Sequence, residues 1–209
     1  ICLIKGSGVD LKKFLKINIT NNNKSVVFIG RVILEKGVLE FIKAAKNLKK
    51  EFKNWKFLIV GPLDYDKPSK FSQDTINMWK KDKDIQILGY KENTKIYYKN
   101  SAIICLPSYR EGTPKTILEA SASGRPVITT NVTGCKDSII NKKTGELCKV
   151  KSVSSLKTAL KKLIKDKKLR EYYGKNAREL AIRKYDIKIV TSKIFTLYNS
   201  LINEKINIC

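Results

Sequence analysis

The most informative segment of the sequence is YREGTPKTILEASASG, residues 109–124. It follows an apolar run, residues 102–106, which is typical of a buried strand. Pro107 ends that strand, and the glycine and proline that come next keep the backbone out of a helix. Because proline is favoured at the first helical position, the sequence predicts a helix that begins at Pro114 and ends near Ser123.

The start of this predicted helix has the features of an anion-binding site. Gly112 and Thr113 precede it, and Thr113 is the predicted N-cap. The amides of Lys115, Thr116 and Ile117 are then left without intrahelical partners. These donors, the partial positive charge of the helix N-terminus and the lysine side chain together favour an anion such as a phosphate.

Two carboxylates flank the predicted anion site, Glu111 in the loop and Glu119 in the second turn of the helix. Like charges repel, so these carboxylates are unsuited to a phosphate. They are suited to accept hydrogen bonds from hydroxyls, such as those of a ribose and a hexose at the two ends of a diphosphate. The stretch therefore predicts a cradle for a nucleotide sugar. The alternative is that both glutamates are solvated surface residues.

A second loop carries two basic residues in a comparable position. Residues 25–29 form an apolar, β-branched run that predicts a buried strand, and Gly30 ends it. Arg31 and Lys36 lie in the loop that follows, before a helix that starts at Gly37. Ligands bind beyond the carboxyl ends of parallel strands, so this loop is a candidate part of the same site. The alternative is two solvated bases in a lysine-rich chain.

The longer run YREGTPKTILEASASGRPVITTNVTGCKD, residues 109–137, resembles the signature of retaining glycosyltransferases of the GT-B fold. It is similar to the large family related to sucrose and glycogen synthases, in the branch that builds bacterial surface polysaccharides and lipid-linked oligosaccharides. The similarity extends from about Gly8 to Tyr185. The resemblance implies a nucleotide-sugar donor, most simply a UDP-sugar, a glycan or lipid-linked acceptor, and transfer with retention.

The resemblance also implies roles for individual residues. Glu111 would contact hydroxyls of the donor sugar, and Glu119 would contact the ribose. Arg31 and Lys36, with the free amides of the predicted helix, would hold the diphosphate and stabilise its charge as it leaves. Glu111, Arg31 and Lys36 are therefore the predicted catalytic residues. A cationic clamp of this kind removes the need for a divalent metal, so no metal cofactor is expected.

The predicted substrate-binding residues extend along the strand ends. The backbone of the loop at residues 89–91 would hold the nucleotide base, and Tyr90 either lines the base or is a surface tyrosine. Many relatives have arginine where this chain has Lys115, so a point charge replaces a bidentate contact. The full set is Glu119, Gly112, Thr113, Pro114, Lys115, Thr116, Gly30, Gly89, Tyr90 and Lys91.

Apolar runs alternate with amphipathic segments along the chain. This alternation implies right-handed βαβ crossovers and a doubly wound parallel sheet, a Rossmann-like α/β fold that would form the second half of a GT-B fold. The predicted strands are residues 25–29, 55–60, 85–88, 102–106, 126–129 and 145–150. The first predicted helix starts at Gly37. The others span residues 73–81, 93–99, 114–123, 152–166, 168–185 and 187–203.

The resemblance divides the chain into three parts. Residues 1–10 would end an interdomain crossover. Residues 11–185 would be the nucleotide-sugar-binding domain, and residues 186–209 a C-terminal helix that packs back toward an N-terminal domain. With no initiator methionine, the sequence is interpreted as the C-terminal part of a longer protein.

Composition excludes several classes of protein. The chain has 209 residues, of which 42% are hydrophobic and 30% charged, and this suits one well-buried domain. No apolar run approaches the roughly 20 residues of a membrane span, and no signal peptide is visible. The sequence has no histidine, and its five cysteines are scattered without a CxxC pair, so neither a zinc site nor Cys/His catalysis is expected. A reducing, cytoplasmic compartment is the simpler interpretation.

The net charge of +24 has two explanations. Lysine supplies 37 of the 43 basic residues, a profile that the codons of an AT-rich genome would produce. The same charge would attract the protein to an anionic membrane surface, at the inner face of the plasma membrane. No nucleic-acid partner is expected, because the sequence has no arginine cluster and no pattern of stacking aromatics.

Two other functions stay open. A sugar-nucleotide epimerase with the GT-B fold would share the architecture, although it would need a catalytic histidine or additional acids. A basic nucleic-acid-binding module would explain the charge but not the loop–helix stretch.

Overall fold

The computed structural model of this chain describes residue 4 and residues 6–16, 18–20, 22–63 and 71–206, with the last four given by their backbone alone. Parts of all three predicted segments lie outside the described residues. They are residues 1–3 and 5 of the predicted crossover, residues 17, 21 and 64–70 of the predicted binding domain, and residues 207–209 of the predicted C-terminal part.

Six parallel strands form one sheet in the order β3-β2-β1-β4-β5-β6. The central strand, β1, pairs with β2 on one side and β4 on the other, and its five residues are buried. This order confirms the predicted doubly wound, Rossmann-like sheet. The strands are β1 (Ser25–Ile29), β2 (Lys56–Val60), β3 (Gln86–Gly89), β4 (Ile103–Leu106), β5 (Val127–Thr130) and β6 (Gly145–Cys148).

Seven α-helices accompany the sheet within the part of the chain that the structure describes. Short 3₁₀ turns occur at Leu34–Lys36 and Lys136–Ser138, and a π-helical turn, Ala181–Tyr185, follows the sixth helix. The helices are α1 (Val38–Lys49), α2 (Gln73–Lys80), α3 (Lys95–Asn100), α4 (Lys115–Ala122), α5 (Val153–Lys165), α6 (Lys167–Leu180) and α7 (Ile187–Ile206). None of these helices combines the length and the apolar character needed to cross a membrane.

Helices cover both faces of the sheet. The crossovers β1-α1-β2 and β4-α4-β5 run in opposite directions, so right-handed connections place α1 and α4 on opposite faces. Helix α1 packs against α5, and α4 packs against α6 and the π-helical turn. The two middle strands, β1 and β4, are buried along their whole length and apolar except for Ser25, which is typical of a parallel sheet covered on both faces.

The strand order reverses between β1 and β4, and the loops that follow these two strands are pressed together. Gly37 has φ 73°, and a Cβ there would lie 2.1 Å from the carbonyl oxygen of Pro107. The amide of Tyr109 donates to the carbonyl of Glu35 at 2.8 Å. Clefts of this kind, at the switch point of an open parallel sheet, are where such folds bind ligands.

The predicted N-cap, Thr113, is wrong by one residue. Helix α4 begins at Lys115, and its N-cap is Pro114, with φ −72° and ψ 119°. The proline ring fixes φ but leaves ψ free, so Pro114 takes the extended ψ of a cap. Its carbonyl accepts from the amide of Ile117 at 3.0 Å. The helical amides without an intrahelical acceptor are therefore those of Lys115 and Thr116.

Candidate functional site

Glu111 and Lys36 meet at the switch point, although 75 residues separate them in the chain. The Lys36 ammonium forms an ion pair with Oε1 of Glu111, and the hydroxyl of Ser108 donates to the same oxygen at 2.7 Å. The two charged side chains are only 19% and 11% exposed. The residues predicted for the diphosphate and for the donor sugar are thus direct neighbours.

The N-terminus of α4 is fastened to the end of the central strand. The hydroxyl of Thr116 donates to the carbonyl of Ile29 at 3.1 Å. Lys115 stands beside it with an exposed side chain. The positive end of a helix, one lysine and the Glu111–Lys36 pair therefore share one edge of the sheet, which suits a ligand with both an anionic and a hydroxyl-bearing part.

Glu119 occupies a half-buried position in the second turn of α4. The hydroxyl of Tyr98 donates to its Oε2 at 2.7 Å. Burial raises the pKa of the Glu119 carboxyl above its ordinary value, while the Tyr98 hydrogen bond and the charge of Lys115 act to lower it. One carboxylate oxygen is therefore committed to Tyr98, and the carboxylate is held in a fixed orientation.

A third loop supports the site from the far side. Gly134, after β5, has φ 83°, and a Cβ there would lie 1.6 Å from the carbonyl oxygen of Gly112. The hydroxyl of Thr130 donates to the carbonyl of Ser108. The loop that carries Glu111 is thus clamped between the loops that follow β1 and β5.

The remaining predicted residues are spread along the same edge. Gly30 follows β1 and donates its amide to Val60 at 2.9 Å, and Arg31 next to it is exposed. Gly89, Tyr90 and Lys91 lie at the end of β3, which β2 separates from β1, so they stand two strands away from the Glu111–Lys36 pair. Tyr90 is 70% exposed.

Sequence reasoning missed three residues that support the site: Ser108, Tyr98 and Arg125. Arg125 is fully buried, and burial lowers its pKa to about 10. Its Nε donates to the carbonyl of Tyr98 at 2.8 Å. The scarcity of arginine in a lysine-rich chain was the available signal for Arg125, whereas nothing in the sequence pairs Tyr98 with Glu119.

The chain belongs to the glycosyl transferases group 1 family, whose model matches residues 10–180. This confirms the predicted family. The N,N'-diacetylbacillosaminyl-diphospho-undecaprenol alpha-1,3-N-acetylgalactosaminyltransferase of Campylobacter jejuni is 32% identical over 215 residues, covering 97% of this chain and 55% of the relative. The UDP-Gal:alpha-D-GlcNAc-diphosphoundecaprenol alpha-1,3-galactosyltransferase of Escherichia coli is 29% identical over 213 residues, covering 95% of this chain and 54% of the relative.

A solved structure shows the same fold. Sucrose-phosphate synthase from Thermosynechococcus elongatus superposes with a TM-score of 0.82 at 24% identity, covering 94% of this chain and 52% of that one. The chain therefore spans about half the length of the curated relatives and of this structure.

Proposed function

We propose that this chain is the donor-binding part of a retaining GT-B glycosyltransferase that uses a nucleotide diphosphate sugar, a UDP-sugar. The observation that carries the proposal is the meeting of Glu111, Lys36 and the N-terminus of α4 at the switch point of the sheet. One edge then offers cationic and amide donors for a diphosphate and a carboxylate for sugar hydroxyls. The name of the Escherichia coli relative includes a UDP-sugar donor, which supports the donor class.

In this proposal, Lys36, Arg31 and the amides of Lys115 and Thr116 bind the diphosphate and stabilise the charge that develops on it as the glycosidic bond breaks. These groups already supply positive charge, so the reaction needs no divalent metal. Lys36 would be shared between the diphosphate and Glu111, since its ammonium has three N–H donors.

Glu111, fixed by Ser108 and Lys36, accepts hydrogen bonds from hydroxyls of the donor sugar, and Glu119 accepts from the ribose. The other proposed contacts are made by the backbone near the diphosphate or by residues near the nucleotide base. They involve Gly30, Gly112, Thr113 and Pro114 around the diphosphate and Gly89, Tyr90 and Lys91 around the base.

The proposed acceptor is a lipid-linked oligosaccharide or a growing polysaccharide. The names of the two bacterial relatives both contain a diphospho-undecaprenol, which is a lipid-linked acceptor. We propose that the enzyme meets this acceptor at the cytoplasmic face of the membrane, as a peripheral protein. The family match favours this function over an epimerase and over a nucleic-acid-binding module.

The proposed domain division has support at the two ends of the binding domain. Val9 donates its amide to Tyr185 at 2.7 Å and accepts from the amide of Ile187 at 3.0 Å, so the segment before the domain and the helix after it lie side by side. Exposed apolar side chains continue along α7: Phe195, Tyr198, Leu201 and Ile202. We propose that residues 1–10 end a crossover from a preceding domain and that residues 186–209 are a C-terminal helix whose exposed apolar face packs back on that domain. The relatives are about twice as long as this chain, which leaves room for such a domain.

Calorimetry tests the donor assignment. The chain is titrated with UDP and with UDP-sugars, once with a chelator and once with magnesium. We expect binding that is the same in both buffers, because the clamp is made of lysine, arginine and amides. Binding only with magnesium would contradict the clamp, and a separate titration with an oligonucleotide that binds tightly at low salt would favour the nucleic-acid module.

A further inference from the structure

We propose that Tyr98, itself held by Arg125, is a positioning residue that sets the orientation of Glu119 for the ribose of the donor. The inference rests on the proposed function, because it assumes that Glu119 faces a nucleotide. It adds to that function two residues that never reach the ligand.

Tyr98 is an inflexible anchor. Its side chain is fully buried on α3, and the edge of its ring meets the ring of Phe14 at a centroid distance of 5.6 Å and an angle of 86°. Its hydroxyl donates to Oε2 of Glu119 at 2.7 Å, across 21 residues of sequence. Because the ring is packed in the core, its hydroxyl is a donor at a fixed position, and the hydrogen bond restrains the orientation of the carboxylate.

Arg125 fixes the end of the helix that carries Tyr98. Its Nε donates to the carbonyl of Tyr98 and its Nη2 to the carbonyl of Lys99, both at 2.8 Å. These carbonyls belong to the last turn of α3, where intrahelical donors are lacking. None of the carboxylates that the structure describes forms an ion pair with this buried guanidinium, so its role is to bind α3.

The hydrogen bond has a chemical consequence for Glu119. Burial disfavours the charged form of this carboxyl, and the Tyr98 hydroxyl and Lys115 favour it. On α6, which also packs against α4, Arg178 contacts the far end of α4 at the carbonyl of Ala122. Tyr98 therefore both aims Glu119 and helps to keep it ionised, as an acceptor of two ribose hydroxyls requires.

The test is a Tyr98→Phe variant, with Tyr173→Phe as its matched control. Tyr173 is equally buried, and its hydroxyl donates to Glu146 at 2.6 Å, away from the proposed site. We expect Tyr98→Phe to weaken UDP about tenfold at pH 7, as the loss of one hydrogen bond to a charged group would. The pH below which UDP affinity falls should also move upward, because the pKa of Glu119 rises without its donor. Tyr173→Phe should leave both the affinity and the pH profile unchanged.

Two further variants separate positioning from folding. In a Glu119→Gln background, Tyr98→Phe should add little, since the two changes act on one interaction. Arg125→Lys should lower UDP affinity, as Tyr98→Phe does. If Tyr98→Phe does not fold, Arg125→Lys is used in its place to test the positioning role. A wild-type affinity and pH profile in Tyr98→Phe would overturn the positioning role and leave the proposed function intact. A wild-type chain that binds no UDP would overturn both.

Discussion

At the scale of single residues, the site shows how one residue type serves two purposes. Glu111 is charge-paired with Lys36 and accepts from Ser108, whereas Glu119 is half-buried and accepts from a tyrosine. In the proposed function the first carboxylate shares Lys36 with the diphosphate, whereas the second accepts from a buried tyrosine and contacts the ribose. The two glutamates should therefore fail in different ways when their charge is removed.

Glu119→Gln should weaken UDP itself by about tenfold, because the ribose is common to donor and product. Glu111→Gln should leave UDP affinity nearly unchanged and reduce sugar transfer, since it loses only contacts to the donor sugar and releases Lys36 to the diphosphate. Calorimetry with UDP and a transfer assay on the whole enzyme measure the two effects. An equal loss of UDP affinity in both variants would contradict these roles.

Glu119 should also cost the protein stability at neutral pH. Its pKa is raised in the folded chain, so its contribution to stability is fully present below the unfolded pKa and is lost as pH rises through the folded pKa. Gln at this position does not titrate and can still accept from Tyr98. The free energy of unfolding of Glu119→Gln, relative to wild type, should therefore increase between pH 4 and pH 7. Denaturant unfolding of both proteins at several pH values measures this difference. If the difference in the free energy of unfolding did not change with pH, Glu119 would not destabilise the protein at neutral pH.

At the scale of elements, the sequence predicted what depends on local pattern. All six strands and the helices that connect them could be predicted from apolar runs and from the positions of glycine and proline. A strand that is buried on both faces of a parallel sheet consists of consecutive apolar residues, which are visible in the sequence. The predicted edge that carries Glu111 and Lys36 follows from the same rule. The Tyr98–Glu119 bond and the Gly134–Gly112 contact do not, because they depend on how distant elements pack. The N-cap was misplaced at Thr113 because proline is compatible with both the cap and the first helical position.

The contact of Gly134 with the Glu111 loop can be tested by Gly134→Ala. The new Cβ would overlap the carbonyl of Gly112 and would also hold alanine at φ 83°, so we expect a loss of about 1–3 kcal/mol in the free energy of unfolding. UDP affinity should fall as well, because Gly112 and the residues that lead into the N-terminus of α4, which are the proposed diphosphate contacts, must move.

Gly124→Ala is the matched control for the backbone strain alone. Gly124 has φ 68°, and the nearest atom to its Cβ would be Cγ of the flexible Lys16 side chain, at 3.1 Å. This variant should lose about 1 kcal/mol of stability and keep its UDP affinity. If both variants bound UDP as wild type does, the loop after β5 would have no part in the site.

At the scale of the whole molecule, the net charge is +24, and some of the lysines form ion pairs within the chain. Lys161 and Lys165 of α5 both pair with Glu51, at 2.6 and 3.1 Å, and Lys162 pairs with Glu146. Two acids therefore pair with three of the four lysines of α5 and offset about half of its positive charge. A patch that attracts an anionic membrane is better sought where lysines lie beside exposed apolar side chains.

One surface has the required combination of charge and apolar side chains. Leu15 and Ile96 are 62% and 51% exposed and line one groove together with Lys13, Lys95 and Lys99. Each basic residue close to an anionic surface adds about 1 kcal/mol of attraction, so a few on one face are enough to hold a protein there. Codon bias, in contrast, predicts an even coat of lysine with no preferred face.

Vesicle sedimentation decides between these two origins of the charge. We expect this chain to bind vesicles that contain phosphatidylglycerol and not neutral ones, and to be released at high salt, because the Debye length is already only about 8 Å at physiological ionic strength. The double reversal Lys95→Glu with Lys99→Glu should reduce binding much more than Lys142→Glu with Lys143→Glu, which changes the net charge equally at two other exposed lysines. Equal reductions would mean that only net charge matters, as codon bias predicts. Equal partitioning of the wild type onto both vesicle types, or onto neither, would remove electrostatic attraction as the reason for a membrane location while leaving the donor site untouched.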